Sequence, residues 1–100
     1  MVIYNVDEFA RISLKRSVYK AALTKLGQKI RSLREAQGIS QENFAQLASI
    51  ERARYGKIER GEANISANVI FRLAHHLKVH PSELFADVRK SDCVPSKEDA

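Results

Sequence analysis

The sequence predicts an all-α fold: five short helices with short connections, preceded by one more helix at the N-terminus. Three observations predict it. Apolar residues recur at helical spacing from Leu26 to Phe85. Serine, glycine and proline stand where helices begin and end, with Gly27 and Gly56 as the exceptions. The only strand signal is the short run Val2-Ile3-Tyr4.

Leu26, Ile30 and Leu33 fall at i, i+4 and i+7 and make one apolar stripe. That helix ends near Gln37, with Gly38 just beyond its C-cap. Ser40 N-caps a second helix, its hydroxyl placed to accept from the N–H of Asn43, and Phe44, Leu47 and Ala48 form the inward face. A turn at Ser49-Ile50 leads into a third helix. Glu51 caps it and opposes its dipole, Tyr55 and Ile58 face inward, and Gly61 closes it. Ser66 N-caps a fourth helix with the stripe Val69, Ile70, Leu73, Ala74 and Leu77. Pro81 sits in the first turn of a short fifth helix that directs Leu84 and Phe85 to the core.

One hundred residues suit a single domain with a small core of its own. No apolar run approaches the ~20 residues of a membrane span. An N-terminus that carries Asp7 and Glu8 lacks the apolar stretch of a signal peptide. The single cysteine, Cys93, has no internal partner for a disulfide, so a cytoplasmic location is expected. The net charge is +5, and its distribution matters more than its total. Residues 1–25 carry +3, residues 26–85 carry +3, and residues 86–100 carry −1. The excess lies in the parts that fold, which favours a polyanionic partner such as nucleic acid.

The stretch from Ser40 to Gly61 then reads as two short helices joined by a tight turn, the second bearing Arg52, Arg54, Lys57 and Arg60. That is the layout of a helix-turn-helix whose second helix enters the major groove of DNA. The set of residues is similar to the Cro/repressor-type helix-turn-helix domains, the XRE family. It comprises Ile30-Arg31-Ser32-Leu33-Arg34, Gly38-Ile39-Ser40-Gln41-Glu42, Phe44-Ala45, Ile58-Glu59-Arg60-Gly61, Leu73-Ala74 with Leu77, and Pro81-Ser82-Glu83-Leu84-Phe85. They come in family order and spacing across residues 26–85. The resemblance implies a five-helix, lambda-repressor-like domain there. Outside it, helical spacing predicts a helical extension over 1–25, and a polar end with Pro95 and no periodic apolar positions predicts a disordered tail over 86–100. Tyr55-Gly56-Lys57-Ile58-Glu59-Arg60-Gly61 also resembles a subgroup that includes restriction–modification controller proteins. Three positions depart from the family pattern. Ser49 stands where the turn usually has glycine, Glu51 where the third helix usually starts with Ser or Thr, and Asn43 where Glu would complete a capping box.

A helix in the major groove presents its first turn and the residues one turn on, here Glu51, Arg52, Ala53, Gly56 and Lys57. Arg52 and Lys57 suit guanine O6 and N7, Ala53 a thymine methyl, and Glu51 the cytosine amino group. Gly56 lets the helix approach closely, at a cost of up to ~1 kcal/mol in helix propensity. The resemblance implies that Gln41, at the start of the second helix, donates to a phosphate. Arg54, Arg60 and Asn64 are further phosphate candidates, which position the protein without reading sequence. The resemblance also implies an ion pair between Arg34 and Glu59 that fixes the third helix against the first.

In the extension, Phe9, Ile12, Tyr19, Leu23 and Leu26 keep approximate helical spacing, and Leu14, Val18 and Ala22 lie on a second face. Two apolar faces suit packing against two surfaces, one of them a second protomer. Arg11, Lys15, Arg16 and Lys20 cover the remainder. His76 and His80 have metal-ligand spacing for a continuous helix, but the break near Val79 and Pro81 removes that helix, so no metal is expected. No cofactor is implied. Cys93 has no base beside it, and no carboxylates converge by spacing, so the chain reads as a non-enzyme. The expected function is a sequence-specific regulator that binds double-stranded DNA, as a homodimer on a two-fold operator. Two rivals are an antitoxin that holds a toxin partner through the extension or tail, and a pure protein-interaction module.

Overall fold

The computed structural model describes residues 18–96. The described residues form four α-helices: α1 Lys20–Ala36, α2 Gln41–Leu47, α3 Arg52–Glu59 and α4 Ala67–Leu77. Two 3-10 turns follow, at Pro81–Phe85 and Lys90–Asp92. No strand occurs among the described residues; Val2-Ile3-Tyr4 and the other residues before Val18 lie outside them.

Most of the helix boundaries have a local cause. The Ser40 hydroxyl accepts from the Asn43 N–H at 3.1 Å, and the Ser66 hydroxyl from the Val69 N–H at 3.2 Å. Glu51 occupies the N-cap position of α3 but its side chain makes no cap hydrogen bond. All four helices end in the same way, with a left-handed residue that lets two backward N–H bonds close over the last turn. In α1 these bonds are Gly38 N–H to Glu35 O at 2.9 Å and Ile39 N–H to Arg34 O at 3.4 Å. Gly38 and Gly61 fill that position in α1 and α3, whereas Ser49 (φ 57°) and Lys78 (φ 61°) fill it in α2 and α4.

The core lies where α1, α2, α3 and α4 meet. Ile30, Phe44, Tyr55, Ile58, Leu73, Leu77 and Leu84 are its large, fully buried side chains. The rings of Phe44 and Tyr55 meet at 5.4 Å between centroids, tilted by 45°, which locks α2 to α3. Gln37 Nε2 donates to Leu77 O at 2.7 Å and ties the ends of α1 and α4. Gly27 lets α1 cross the C-terminal end of α3 closely: a Cβ there would stand 2.4 Å from Glu59 O and 2.5 Å from Ile58 O.

Four details differ from the sequence expectations. The fifth helix is a single 3-10 turn: with Pro81 at its start and five residues in all, it closes no α-helical ladder. His80 Nδ1 caps it by accepting from the Ser82 N–H at 3.1 Å. Only Leu84 of its two apolar residues is buried, and Phe85 is 43% exposed. Leu47 is 51% exposed, because α2 stops there and Ala48 and Ile50 fill the core beside Phe44. Residues 86–96 fold back on the start of α1: Lys25 pairs with Asp92 at 2.9 Å, and the Ser96 N–H donates to Val18 O at 2.9 Å. The Arg89 N–H and Lys25 together hold the Asp92 carboxyl below its usual range.

Candidate nucleic-acid interface

α3 owes its orientation to a buried cluster around Glu59. Tyr55 and Glu59 are four residues apart, so both point to the same side of α3, toward α1 and the start of α2. Arg34 comes from α1 and meets Glu59 as a bidentate fork through one guanidinium edge, Nε to Oε2 at 2.7 Å and Nη2 to Oε1 at 3.1 Å. Its Nη1 donates to Ile39 O at 2.7 Å, in the loop before α2. Gln41 Nε2 donates to Glu59 Oε1 at 2.8 Å, and the Tyr55 hydroxyl donates to Glu59 Oε2. The carboxylate thus collects four donors from three helices. No buried side-chain nitrogen or oxygen among the described residues is left without a partner.

The electrostatics follow from that geometry. Burial by itself would push the Glu59 carboxyl up, but hydrogen bonds from Arg34, Gln41 and Tyr55 outweigh it and hold Glu59 below the usual carboxylate range. The hydrogen bond to Glu59 raises Arg34 against the opposing effect of burial. Burial first, and then the hydrogen bond to Glu59, drive the Tyr55 hydroxyl far above its ordinary value. The tyrosine therefore stays a donor and the glutamate a charged acceptor.

With Tyr55, Ile58 and Glu59 turned inward, the opposite side of α3 is open. Glu51, Arg52, Ala53, Arg54, Lys57 and Arg60 are exposed there. A shallow hollow beside the helix is lined by Ala53, Arg54, Lys57, Glu62 and Asn64, so the loop after α3 shares the same face. The turn between α2 and α3 is braced by Arg72, whose Nη1 lies 3.5 Å from Ser49 O. Two helices of seven and eight residues, a tight turn and an outward basic helix are thus set on a scaffold of α1 and α4. Residues 30–84 match the helix-turn-helix family HTH_3.

The chain belongs to that family.

It is an XRE-type helix-turn-helix domain, a DNA-binding domain of transcription regulators. Relatives bear this out. The control protein C.MunI of a Mycoplasma species is 36% identical over 67 residues, which is 66% of this chain and 90% of that protein. The crystal structure of the restriction–modification controller protein C.AhdI from Aeromonas hydrophila is similar with a TM-score of 0.63 and 46% identity. That match covers 65% of this chain and 98% of the other. An HTH_3 family transcriptional regulator from Vibrio cholerae matches with a TM-score of 0.64 and 27% identity, over 70% of this chain and 39% of the other.

Within this helix-turn-helix domain the site residues named from sequence divide into groups. Ala53 and Lys57 face outward together near Glu51, and Arg54 and Asn64 both line the hollow. Arg34 and Glu59 pair. Gln41 is half-buried, and one amide N–H is directed at Glu59 rather than at solvent. Arg60 pairs through Nε with Glu62 at 3.1 Å, an exposed contact of little stabilising value. Gly56 is buried rather than open, because the side chains of Arg52 and Arg60 lie over it. Sequence reasoning missed three members of the face and its support: the Tyr55 hydroxyl, the Gln41–Glu59 bond and Glu62. The i, i+4 spacing of Tyr55 and Glu59 carried the first, and the closeness of Glu62 to Arg60, two residues apart, carried the third; the Gln41–Glu59 bond joins elements that no local pattern connects. Among the described residues no three His, Cys, Asp or Glu converge, and no helix is long and apolar enough to cross a membrane.

Proposed function

We propose that this domain is a sequence-specific, non-catalytic transcription regulator that acts as a homodimer on a two-fold DNA operator. The supporting observation is the outward basic face of α3, held in one orientation by the four donors on Glu59. Lys57 and Ala53, with Glu51 at the helix start, face base edges. Gln41, Arg54, Arg60 and Asn64 lie around them, where phosphates flank a helix in the major groove. One eight-residue helix reads too few bases for useful specificity, which is the reason for a dimer. Two relatives are controller proteins by name, and the controller class of regulator fits this chain.

The exposed Phe85 offers a self-association surface on the side of the domain formed by α1 and α4. The competing surface is the N-terminal extension, most of which lies outside the described residues. Selection of bound duplexes from a random pool at about physiological salt tests the function, because nonspecific phosphate binding is weak there. The expected product is a two-fold motif with half-sites about 10 base pairs apart. Failure to enrich any motif overturns the reading and moves weight to a protein partner such as a toxin. Sedimentation of Phe85→Ser tests the dimer: monomers are expected, and a persistent dimer moves the interface to the extension.

A further inference from the structure

Gly56 has neither a helix end nor a turn to explain it. It stands mid-helix, where glycine is a poor choice, and it has an ordinary helical backbone. Its surroundings explain it. A Cβ at Gly56 would lie 3.0 Å from Arg52 Nη1 and 3.1 Å from Arg60 Nη1. These arginines are four residues before and four after it, one turn away on either side. Arg52 reaches forward along the helix and Arg60 backward, so both guanidinium groups close over the same bare stretch of backbone. Their Nη1 atoms are separated by no more than the sum of those two distances.

Two like charges converge there, and the Glu62 carboxylate engages only the Nε of Arg60. No ion pair or hydrogen bond occupies Arg52 among the described residues, and it is exposed. Arg60 is tied only through Nε, to Glu62 Oε2 at 3.1 Å, which steadies its guanidinium while leaving its Nη groups free to donate. Planar guanidinium groups suit the paired oxygens of a phosphate, and two of them match one anionic group better than a neutral base edge that already takes a single fork.

We propose that Arg52 and Arg60 form one clamp for a single DNA backbone phosphate, and that Gly56 is kept free of a side chain so that the clamp can close. The proposal rests on the DNA-binding reading above and deepens it. It moves Arg52 from base recognition to the backbone and leaves Lys57, Ala53 and Glu51 at the bases. Gly56 is then a positioning residue: it touches no DNA, yet a Cβ there would make the far ends of both arginines give way by a few tenths of an ångström, out of the closed arrangement.

The test is a double-mutant cycle with Arg52→Ala, Arg60→Ala and the double variant in the full-length chain. Each is titrated against a selected duplex and against the same duplex carrying one neutral methylphosphonate at a time. Each single variant is expected to weaken binding about 10-fold, and the double variant far less than the ~100-fold that independent contacts would give. The same methylphosphonate position in each half-site should weaken the wild type and leave both single variants nearly unaffected. Gly56→Ala is expected to unfold at the same temperature or higher, since alanine is the better helix former, while binding about 10-fold more weakly with a shallower salt dependence. Additive losses, separate phosphates for the two arginines, or unchanged binding by Gly56→Ala would overturn the clamp. If those outcomes appear while the wild type still selects a motif, the clamp alone fails. A wild type that selects no duplex overturns the clamp and the DNA-binding reading together.

Discussion

Glu59 is the residue on which the orientation of α3 turns. Its side chain is 1% exposed and that of Arg34 is 8% exposed, so neither charge has water to fall back on. Arg34→Ala should therefore cost about 3–5 kcal/mol, read as a lowered urea midpoint, because it leaves the carboxylate short of two donors. Replacing the partners together by apolar residues, Arg34→Met with Glu59→Leu and Tyr55→Phe, should recover most of that loss, whereas keeping Tyr55 would strand its buried hydroxyl. The same cluster sets the pH limits of stability. Glu59 is held below its ordinary value of 4.5, so its contribution is present above that pH and is lost as pH falls through the depressed folded value. Tyr55 is raised above its ordinary 10.0, so its contribution is full below pH 10 and is lost as the pH rises beyond it. Thermal unfolding across pH should show both flanks, and Tyr55→Phe should flatten the alkaline one.

At the scale of elements, two backbone positions decide how the helices join. Gly27 permits the closest crossing, α1 on the carbonyls that end α3. Gly27→Ala must separate those helices, and a loss of about 1–3 kcal/mol is expected from denaturant titration. Ser49 closes α2 in a left-handed conformation that an L side chain adopts at a cost, so Ser49→Gly should stabilise the domain by about 1 kcal/mol in the same titration. Much of this layer was legible in sequence. Ser40 and Ser66 announced helix starts because a hydroxyl has only one local use before an apolar stripe, and Gly38 and Gly61 announced ends because glycine tolerates positive φ. Lys78 closes α4 in the same geometry with no such mark. Leu47 and Phe85 were read as inward because periodicity gives a stripe and not the point where the core ends. The Arg34–Glu59 pair came from family resemblance, whereas the convergence of Arg52 and Arg60 over Gly56 depends on how two long side chains lie along a helix, which no pattern of residue types encodes.

For the whole molecule, the described chain is a helix-turn-helix domain with additions. About a third of the residues lie outside the match to C.AhdI. Residues 86–96, beyond the family match over 30–84, are fastened to the start of α1 by the Lys25–Asp92 pair and the Ser96–Val18 bond. The sequence marked them as tail because they lack an apolar stripe, and their attachment is polar and nonlocal, which periodicity does not register. The excess of positive charge over residues 26–85 makes binding salt-dependent: the logarithm of affinity should fall linearly with that of salt, by about 0.9 per phosphate neutralised. Affinity titrations from low to physiological salt measure that slope, and a slope near zero would remove the phosphate contacts assigned around α3.

The central claim is that the exposed face of α3 reads bases, and Lys57 is its most direct probe because it faces outward without an assigned structural partner. The measurement is duplex selection from a random pool carried out in parallel with the wild type and Lys57→Ala. The account predicts one motif for the wild type, and for the variant the same motif with preference lost at a single position in each half-site. An unchanged motif from Lys57→Ala would contradict the account.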